Sequence, residues 1–298
     1  NKLSLYIDHY IESKQHEISP ATKTKYSTIK SKIELMEASI GKPILINEID
    51  ESFKNEFIKY YNENKYSANT IQRELAFIKT FCRHARNNGV ETSIQLDSLI
   101  LKKTKVEKVY LSFDELKQIE TTKYELEAHK NAKDWLIISC YTGQRVSDFL
   151  NFTKDLIRIE DGITLIEFTQ KKTNKIMSLA LHPKVIEILN KNKGNFPYKI
   201  SDQRYNEYIK EVCQKAKLIQ KIKGSKVNNE TNRKESGLYS KSELITSHVG
   251  RRSFATNFYG KIPTSLLINA TGHSSEALFL EYIGKTQTQQ AKELANYF

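Results

Sequence analysis

The sequence predicts a mainly α-helical protein with one small antiparallel β-sheet in its second half. Apolar residues recur at helical spacing through most of the first hundred residues. Short β-rich runs interrupt this spacing at residues 155–160, 163–168 and 176–181, after which it resumes. A chain of 298 residues is long enough for two cores, so we expect a helical domain followed by a mixed α/β domain.

The charge of the chain predicts a polyanionic partner. The formal net charge is +12 and the pI is near 9.3, which suits nucleic acid because each neutralised phosphate releases condensed counterions. An anionic membrane is the alternative, but we find no strongly amphipathic basic helix, and the longest apolar stretch, residues 135–141, is too short to span a bilayer. The N-terminus carries no apolar signal core, so we expect a cytoplasmic location.

Three cysteines, Cys82, Cys140 and Cys213, occur without Cys-x-x-Cys spacing. This pattern argues against a disulfide framework and against a structural zinc site. We expect them to be small core residues in a reduced compartment.

Residues 1–100 are expected to form a small domain of four helices. The first begins at Leu3, the second opens at the cap Ser19-Pro20, the third covers residues 51–63, and the fourth starts near Ser67. Basic residues on their polar faces are candidate DNA contacts: Lys23, Lys25, Lys30, Arg73, Lys79, Arg83 and Arg86.

Residues 101–110 are expected to be an interdomain linker, because this stretch is charged and has no hydrophobic period. Its lysines, Lys102, Lys103 and Lys105, either follow a DNA backbone or belong to a merely solvated tether.

The second domain is expected to span residues 111–298. It opens with the capping box Ser112-x-x-Glu115, and a buried helix then ends at Gly143. Further helices are predicted at residues 183–192, 202–217, 247–259, 263–270 and 275–283, and a flexible polar insertion at 219–240. In the tail, residues 285–298, a polar stretch precedes Ala291, Leu294, Ala295 and Phe298, which share one helical face.

Three short motifs carry the residue types of phosphate chemistry. In Thr142-Gly-Gln-Arg145, a glycine ends the buried helix, so that Arg145 projects from a rigid turn with Asp148 three residues later. In His248-Val-Gly-Arg251, an imidazole and a guanidinium share a helix face. Each of these taken alone is more often a solvated surface pair.

The third motif is Gly272-His273, with Tyr282 nine residues later. On one continuous helix the two side chains would point to opposite faces. Gly272 and the following serines instead predict that His273 precedes the helix cap, and that Tyr282 lies in the last turn before Gly284. Both side chains could then reach one phosphate, although any one of 16 tyrosines is by default a core or surface residue.

The order of these motifs resembles the tyrosine recombinase (phage integrase) family over nearly the whole chain. The resemblance implies a helical, SAM-like core-binding domain and a mixed α/β catalytic domain. The segment GRRSFATNFY, residues 250–259, is similar to the corresponding segment in integrases of conjugative and mobilisable elements of Bacteroides-type bacteria. The family's catalytic positions match Arg145, Lys172, His248, Arg251, His273 and the nucleophile Tyr282. Asp148 matches the acidic position that follows the family's first arginine.

Two matches depart from the family pattern or leave a choice. The hairpin lysine aligns best with Lys172, but Lys171 and Lys175 remain alternatives. Where the family often has a histidine after the second arginine, this chain has Arg252, which we take as a DNA contact.

The resemblance implies a metal-independent strand transfer without a cofactor. Tyr282 would attack the phosphate and keep the 3′ end, with His248 as the base and Lys172 as the acid. Arg145 and Arg251 would neutralise charge. His273 would hydrogen-bond a non-bridging oxygen.

The implied substrate is double-stranded DNA, bound by a homotetramer on synapsed sites that is a monomer when free. Accessory DNA-bending proteins are a further possible class of partner. Because many such integrases carry an upstream arm-binding domain and this chain lacks an initiator Met, we expect a truncated chain. A type IB topoisomerase and a catalytically silent DNA-binding regulator are the alternatives.

Overall fold

The computed structural model describes residues 1–104, 106–285 and 287–295. The chain divides into two compact units, Asn1–Lys105 with Val227–Glu235, and Val106–Lys226 with Ser236–Phe298. Helices dominate, and the strands form one three-stranded and one two-stranded sheet, so the predicted fold class is confirmed. Within these ranges, no helix has the length and apolar character needed to cross a membrane.

The first unit contains the four predicted helices, α1 (Leu3–Ser13), α2 (Pro20–Ile40), α3 (Glu51–Glu63) and α4 (Ala68–Asn87). The hydroxyls or carboxylate of Ser19, Asp50 and Ser67 cap α2, α3 and α4 by accepting backbone N–H groups of the first turn. The buried faces form a core rich in isoleucine and aromatic residues. Short 3₁₀ turns at Ile46–Glu48 and Leu96–Ser98 complete this unit.

One predicted DNA contact, Lys79, is instead a structural residue of this core. Its side chain is buried, and its ammonium donates to the carbonyl oxygens of Asp97 (3.0 Å) and Leu99 (2.5 Å). The prediction was wrong because the chain that follows α4 folds back over the helix, so that these carbonyls face Lys79. The sequence shows a polar position on α4 but not which segment covers it.

The second unit begins with α5 (Phe113–Thr121), whose predicted capping box at Ser112 is present. The mostly buried helix α6 (Glu127–Thr142) and the short α7 (Val146–Phe149) follow. The strands β1 (Ile157–Glu160), β2 (Ile163–Thr169) and β3 (Ile176–Ala180) form an antiparallel sheet with β2 in the centre. Ile166 pairs with Ile157 and Leu179 and is fully buried, which fixes the register of the sheet on the core.

The remaining elements are mainly helical. They are α8 (Pro183–Lys191), α9 (Asp202–Lys215), β4 (Lys221–Asn228), β5 (Arg233–Ser240), α10 (Lys241–Leu244), α11 (Val249–Phe258), α12 (Thr264–Thr271), α13 (Glu276–Leu280) and α14 (Gln287–Leu294). Helix α6 packs on α9 and on α11, and α11 also packs on α12.

The predicted flexible insertion at residues 219–240 is wrong, because these residues form the β4–β5 hairpin. The side-chain oxygen of Asn228 accepts from the backbone N–H of Glu230 and shapes the turn. The hydroxyls of Ser225 and Ser236 are hydrogen-bonded between the strands. Lysine, serine and asparagine have low strand propensity, so composition hid a hairpin that backbone pairing stabilises.

The tail also differs from its prediction. Helix α14 begins at Gln287, within the polar stretch that precedes Ala291. Ala291, Leu294 and Ala295 are exposed in the isolated chain, and Phe298 lies outside the described residues.

Lys79→Ala should lower the free energy of unfolding by about 1–3 kcal/mol, because two inward-facing carbonyl oxygens lose their donor. Lys23→Ala, an exposed lysine of α2, is the matched control and should change stability by less than about 0.5 kcal/mol. Urea unfolding of the three proteins measures both effects. Equal midpoints for all three would contradict the structural role of Lys79.

Candidate active site

The C-terminus of α6 places the first arginine. Gly143 ends the helix in the left-handed conformation (φ +68°), and a Cβ at this position would lie 2.6 Å from the side chain of Phe254. Only glycine satisfies both constraints. The chain then turns into α7, with Arg145 at the N-cap position and half-buried. Arg145 donates from Nη1 to Oε1 of Gln170 at 3.0 Å.

Arg251, in the first turn of α11, is a fully buried cation. Its Nη1 donates to the carbonyl oxygen of Gly143 (3.0 Å), and its Nη2 lies 3.2 Å from Nε2 of His273. Its Nε has no hydrogen-bond partner among the described residues. Burial and the nearby Arg145 charge lower the pKa of Arg251 to about 10, so it stays protonated at neutral pH. Its direct hydrogen-bond partners are thus neutral, while the charge of Asp148 helps to keep it protonated.

His273 follows the left-handed Gly272 (φ +68°) that ends α12. The hydroxyl of Thr271 donates to the carbonyl of Leu267 at 2.7 Å and is hydrogen-bonded to Nδ1 of His273 at 2.7 Å, which holds the ring in place. Burial and the charges of Arg251 and Arg145 lower the pKa of His273 to about 3. The ring is therefore neutral at pH 7.

Tyr282 lies beyond the helix in which it was predicted. Helix α13 ends at Leu280, and the backbone N–H of Tyr282 donates to Phe279 in a tighter turn. The backbone N–H of Gly284 donates to the hydroxyl of Thr256 at 2.9 Å, which draws the chain onto α11 before the helix can continue. The Tyr282 ring centroid lies 4.7 Å from that of His273 and 5.5 Å from Cζ of Arg251. The structure therefore brings the side chains of Arg251, His273 and Tyr282 together.

His248 occupies the N-cap position of α11. Although solvent reaches its side chain, the protein around the ring lowers its pKa, and the charges of Arg252, Arg251, Arg145 and Lys172 lower it further. The ring is therefore predominantly neutral at pH 7 and can accept a proton. The contribution of Lys172 also means that its ammonium is close enough to act on this ring.

The lysines of the predicted hairpin lie in the turn between β2 and β3. The side chains of Lys171, Lys172 and Lys175 are all exposed. The buried Asp148 fixes this turn, because its Oδ1 accepts from the backbone N–H of Lys171 at 2.9 Å. The hydrogen bonds of Asp148 go to the lysine turn and to Ser147, and Oδ2 has no partner within the described chain.

Two buried glutamines of the site, Gln144 and Gln170, were not predicted from the sequence. Gln144 donates to the carbonyl oxygens of Thr142 and Ala270, and Gln170 accepts from Arg145. Each directly precedes a motif residue, which is the only signal that the sequence offers. Their complete burial, which depends on the tertiary fold, distinguishes them from ordinary surface glutamines.

The predicted DNA-binding residues have varied surroundings. Lys30 pairs with Asp8, whereas Arg83 and Arg86 share Asp97. Burial lowers the pKa of Arg252. Lys23, Lys25, Arg73, Lys102 and Lys103 are exposed, and Lys105 lies outside the described residues.

Comparison with known proteins identifies both halves of the chain. Residues 2–96 match the phage integrase SAM-like domain, and residues 109–289 match the phage integrase family. No curated protein matches the chain.

Solved structures share the fold at low identity. A lambda integrase fragment, solved as a dimer bound to a COC′ core site, is 18% identical with a TM-score of 0.67, covering 96% of this chain and 97% of its own. The Tn1549 transposon integrase in complex with a circular intermediate DNA is 15% identical with a TM-score of 0.71, covering 99% of both chains. A lambda integrase tetramer bound to a Holliday junction is 17% identical with a TM-score of 0.67, covering 95% of this chain and 77% of its own.

The second of the two family models spans more than half of the sequence and includes all four segments of the site. This chain belongs to the phage integrase family.

Proposed function

We propose that this protein is a site-specific DNA recombinase that cleaves and rejoins strands through a 3′-phosphotyrosyl intermediate. One observation carries the proposal: the buried Arg251 guanidinium contacts His273 and lies beneath the Tyr282 ring, and it forms no direct ion pair with a carboxylate of the described residues. A buried cation without a carboxylate partner is stabilised by an anion. A DNA phosphate supplies that anion and also the electrophile for the tyrosine.

In the cleavage step, the Tyr282 oxygen attacks phosphorus and the bond from phosphorus to the 5′-oxygen breaks. His248 accepts the proton of the tyrosine, and Lys172 donates a proton to the departing 5′-oxygen. Arg145 and Arg251 stabilise the charge on the pentacoordinate phosphate. The lowered pKa of His248 supports its role as a base.

The phosphotyrosyl bond conserves the energy of the broken phosphodiester. A 5′-hydroxyl from another strand can therefore attack it, release Tyr282 and reseal the DNA without ATP. We propose that two arginines and a lysine serve in place of metal ions, so that neither metal nor cofactor is needed.

Rejoining to a different strand requires several active sites on one DNA assembly. We propose that the protein is a monomer when free and a homotetramer on synapsed sites, and that it integrates or excises a mobile element of the Bacteroides type. The dimeric and tetrameric DNA complexes of lambda integrase support this arrangement. A type IB topoisomerase would instead relax DNA without paired sites.

A catalytically silent DNA-binding regulator is the second candidate function. Such a regulator would account for the positive charge of the chain. DNA binding alone does not require a tyrosine next to a buried arginine and a neutral histidine. The convergence of these side chains therefore favours the enzyme.

Tyr282→Phe should bind its DNA site with an unchanged Kd but form no covalent protein–DNA adduct, because only the nucleophilic hydroxyl is lost. Adducts are trapped on a nicked suicide substrate in the presence of EDTA. An adduct formed by the variant would assign the nucleophile to another residue, with Tyr259 the next candidate.

Lys172→Ala should slow cleavage roughly 100-fold or more, since a general acid contributes about 10²- to 10⁴-fold. A substrate with sulfur in place of the bridging 5′-oxygen should recover most of the rate, because the thiolate leaves without a proton. Lys171→Ala is the matched control and should show neither effect. The reverse pattern would assign the general acid to Lys171.

The pH dependence of cleavage at subsaturating DNA should have an acid limb below about pH 6.5, the ordinary pKa of histidine. The lowered pKa of His248 keeps the base form populated to lower pH, so the rate is lost only as pH falls through that pKa. In His248→Ala the limb should disappear from the residual rate. A limb centred above 6.5, or one unchanged in the variant, would rule out this assignment.

A further inference from the structure

We propose that Gln170 is a positioning residue that holds Arg145, the lysine turn and the His273 turn in one fixed arrangement. This inference rests on the proposed function, since it concerns the same site. Gln170 directly follows β2 and is fully buried, and it contacts its own turn and two chain segments that are distant in sequence.

The side-chain amide of Gln170 uses all of its hydrogen-bonding capacity. Its Oε1 accepts from Nη1 of Arg145 (3.0 Å) and from the hydroxyl of Thr173 (2.8 Å). Its Nε2 donates to Oε1 of Gln144 and to the carbonyl oxygen of Thr271, both at 3.3 Å. Because two partners are donors and two are acceptors, the amide fits in one orientation only.

The main chain of Gln170 closes the lysine turn. Its N–H donates to the carbonyl of Lys175 (2.9 Å), and its carbonyl accepts from Asn174 (2.8 Å). Together with the Thr173 hydroxyl, these bonds fix the loop that carries Lys172. A change in the position of Gln170 therefore moves the turn as well as Arg145.

The His273 turn is fitted closely against the same amide. A Cβ on Gly272 would lie 2.8 Å from Nε2 of Gln170, so glycine allows this approach as well as the left-handed backbone. The contact ties the segment before His273 to the amide that accepts from Arg145. Arg145 and His273, two of the three groups expected to contact the phosphate oxygens, are thus connected through one side chain.

Gln170 touches neither the nucleophile nor, in our proposal, the substrate, so it acts through Arg145 and the lysine turn. A displacement of about 1 Å in a catalytic group can lower a rate by about 100-fold. We therefore expect Gln170→Ala to slow single-turnover cleavage roughly 10- to 100-fold. Gln118→Ala, which removes a bond to the carbonyl of Ala216, is the matched control and should cleave at the wild-type rate.

A bridging 5′-phosphorothiolate substrate separates the two effects of Gln170. Thr173→Val removes only the bond on the side of the lysine turn, so sulfur in the leaving position should restore its rate fully. Gln170→Ala also frees Arg145, which acts on the phosphate irrespective of the leaving group, so its rate should recover only in part. Full recovery of Gln170→Ala would overturn the link to Arg145.

Gln170→Glu keeps the shape of the side chain and serves if the alanine variant does not fold. Its carboxylate would pair with Arg145 and would face the oxygens of Gln144 and Thr271 without a donor. Protonation restores one donor and removes the charge, so the rate relative to wild type should rise as pH falls. A ratio that does not change with pH would overturn the positioning role.

Wild-type protein assayed in parallel distinguishes a failure of the proposed function from a failure of the inference about Gln170. If wild type forms no adduct with either substrate, the proposed function fails. If wild type forms an adduct and Gln170→Ala forms it at the same rate, only the inference about Gln170 fails. Thermal melts of each variant show whether a lost rate reflects lost folding.

Discussion

The burial of one guanidinium that forms no direct ion pair within the described residues is the constraint on which the site depends. Arg251 has no solvent exposure, and its donors face the carbonyl of Gly143 and the ring of His273. Removing a cation from water is unfavourable unless its donors are satisfied, so the surrounding backbone must be held rigidly in place. The left-handed glycines that end α6 and α12 provide this, since each places a carbonyl or a ring against the cation.

The same buried charge sets the protonation of the groups around it. Positive charge at Arg251 and Arg145 adds to burial in lowering the pKa of both His248 and His273, so that both rings are predominantly neutral at pH 7. Asp148, the nearby carboxylate, accepts a hydrogen bond from the lysine turn, and its charge raises the pKa of Arg251 without a direct hydrogen bond. A bound phosphate would therefore enter a site whose charge is not already neutralised, which is the electrostatic preorganisation that phosphoryl transfer requires.

The positions of most helices and of the helix ends at the site could be predicted from the sequence, because they depend on local rules. Periodicity and N-caps identified the helices of the first unit, as Ser19 and Ser67 illustrate. Gly143 and Gly272 indicated the helix ends that carry Arg145 and His273, since a left-handed residue is a local requirement. The β4–β5 hairpin was missed because strand pairing depends on a partner strand, and its lysines and serines have no local preference for it.

By itself, then, the sequence determined the order of the helices, the three-stranded sheet and the identity of the residues matched to the family motif. The tertiary structure decided which polar residues are buried. Lys79 donates to carbonyl oxygens of a segment that folds back over α4, and Gln170 joins its own turn to two segments distant in sequence. Tyr282 lies beyond its helix, where the backbone N–H of Gly284 donates to the hydroxyl of Thr256. In each case the partner lies far along the chain or on another element, and a hydrogen bond to a distant group leaves no periodic pattern in the sequence.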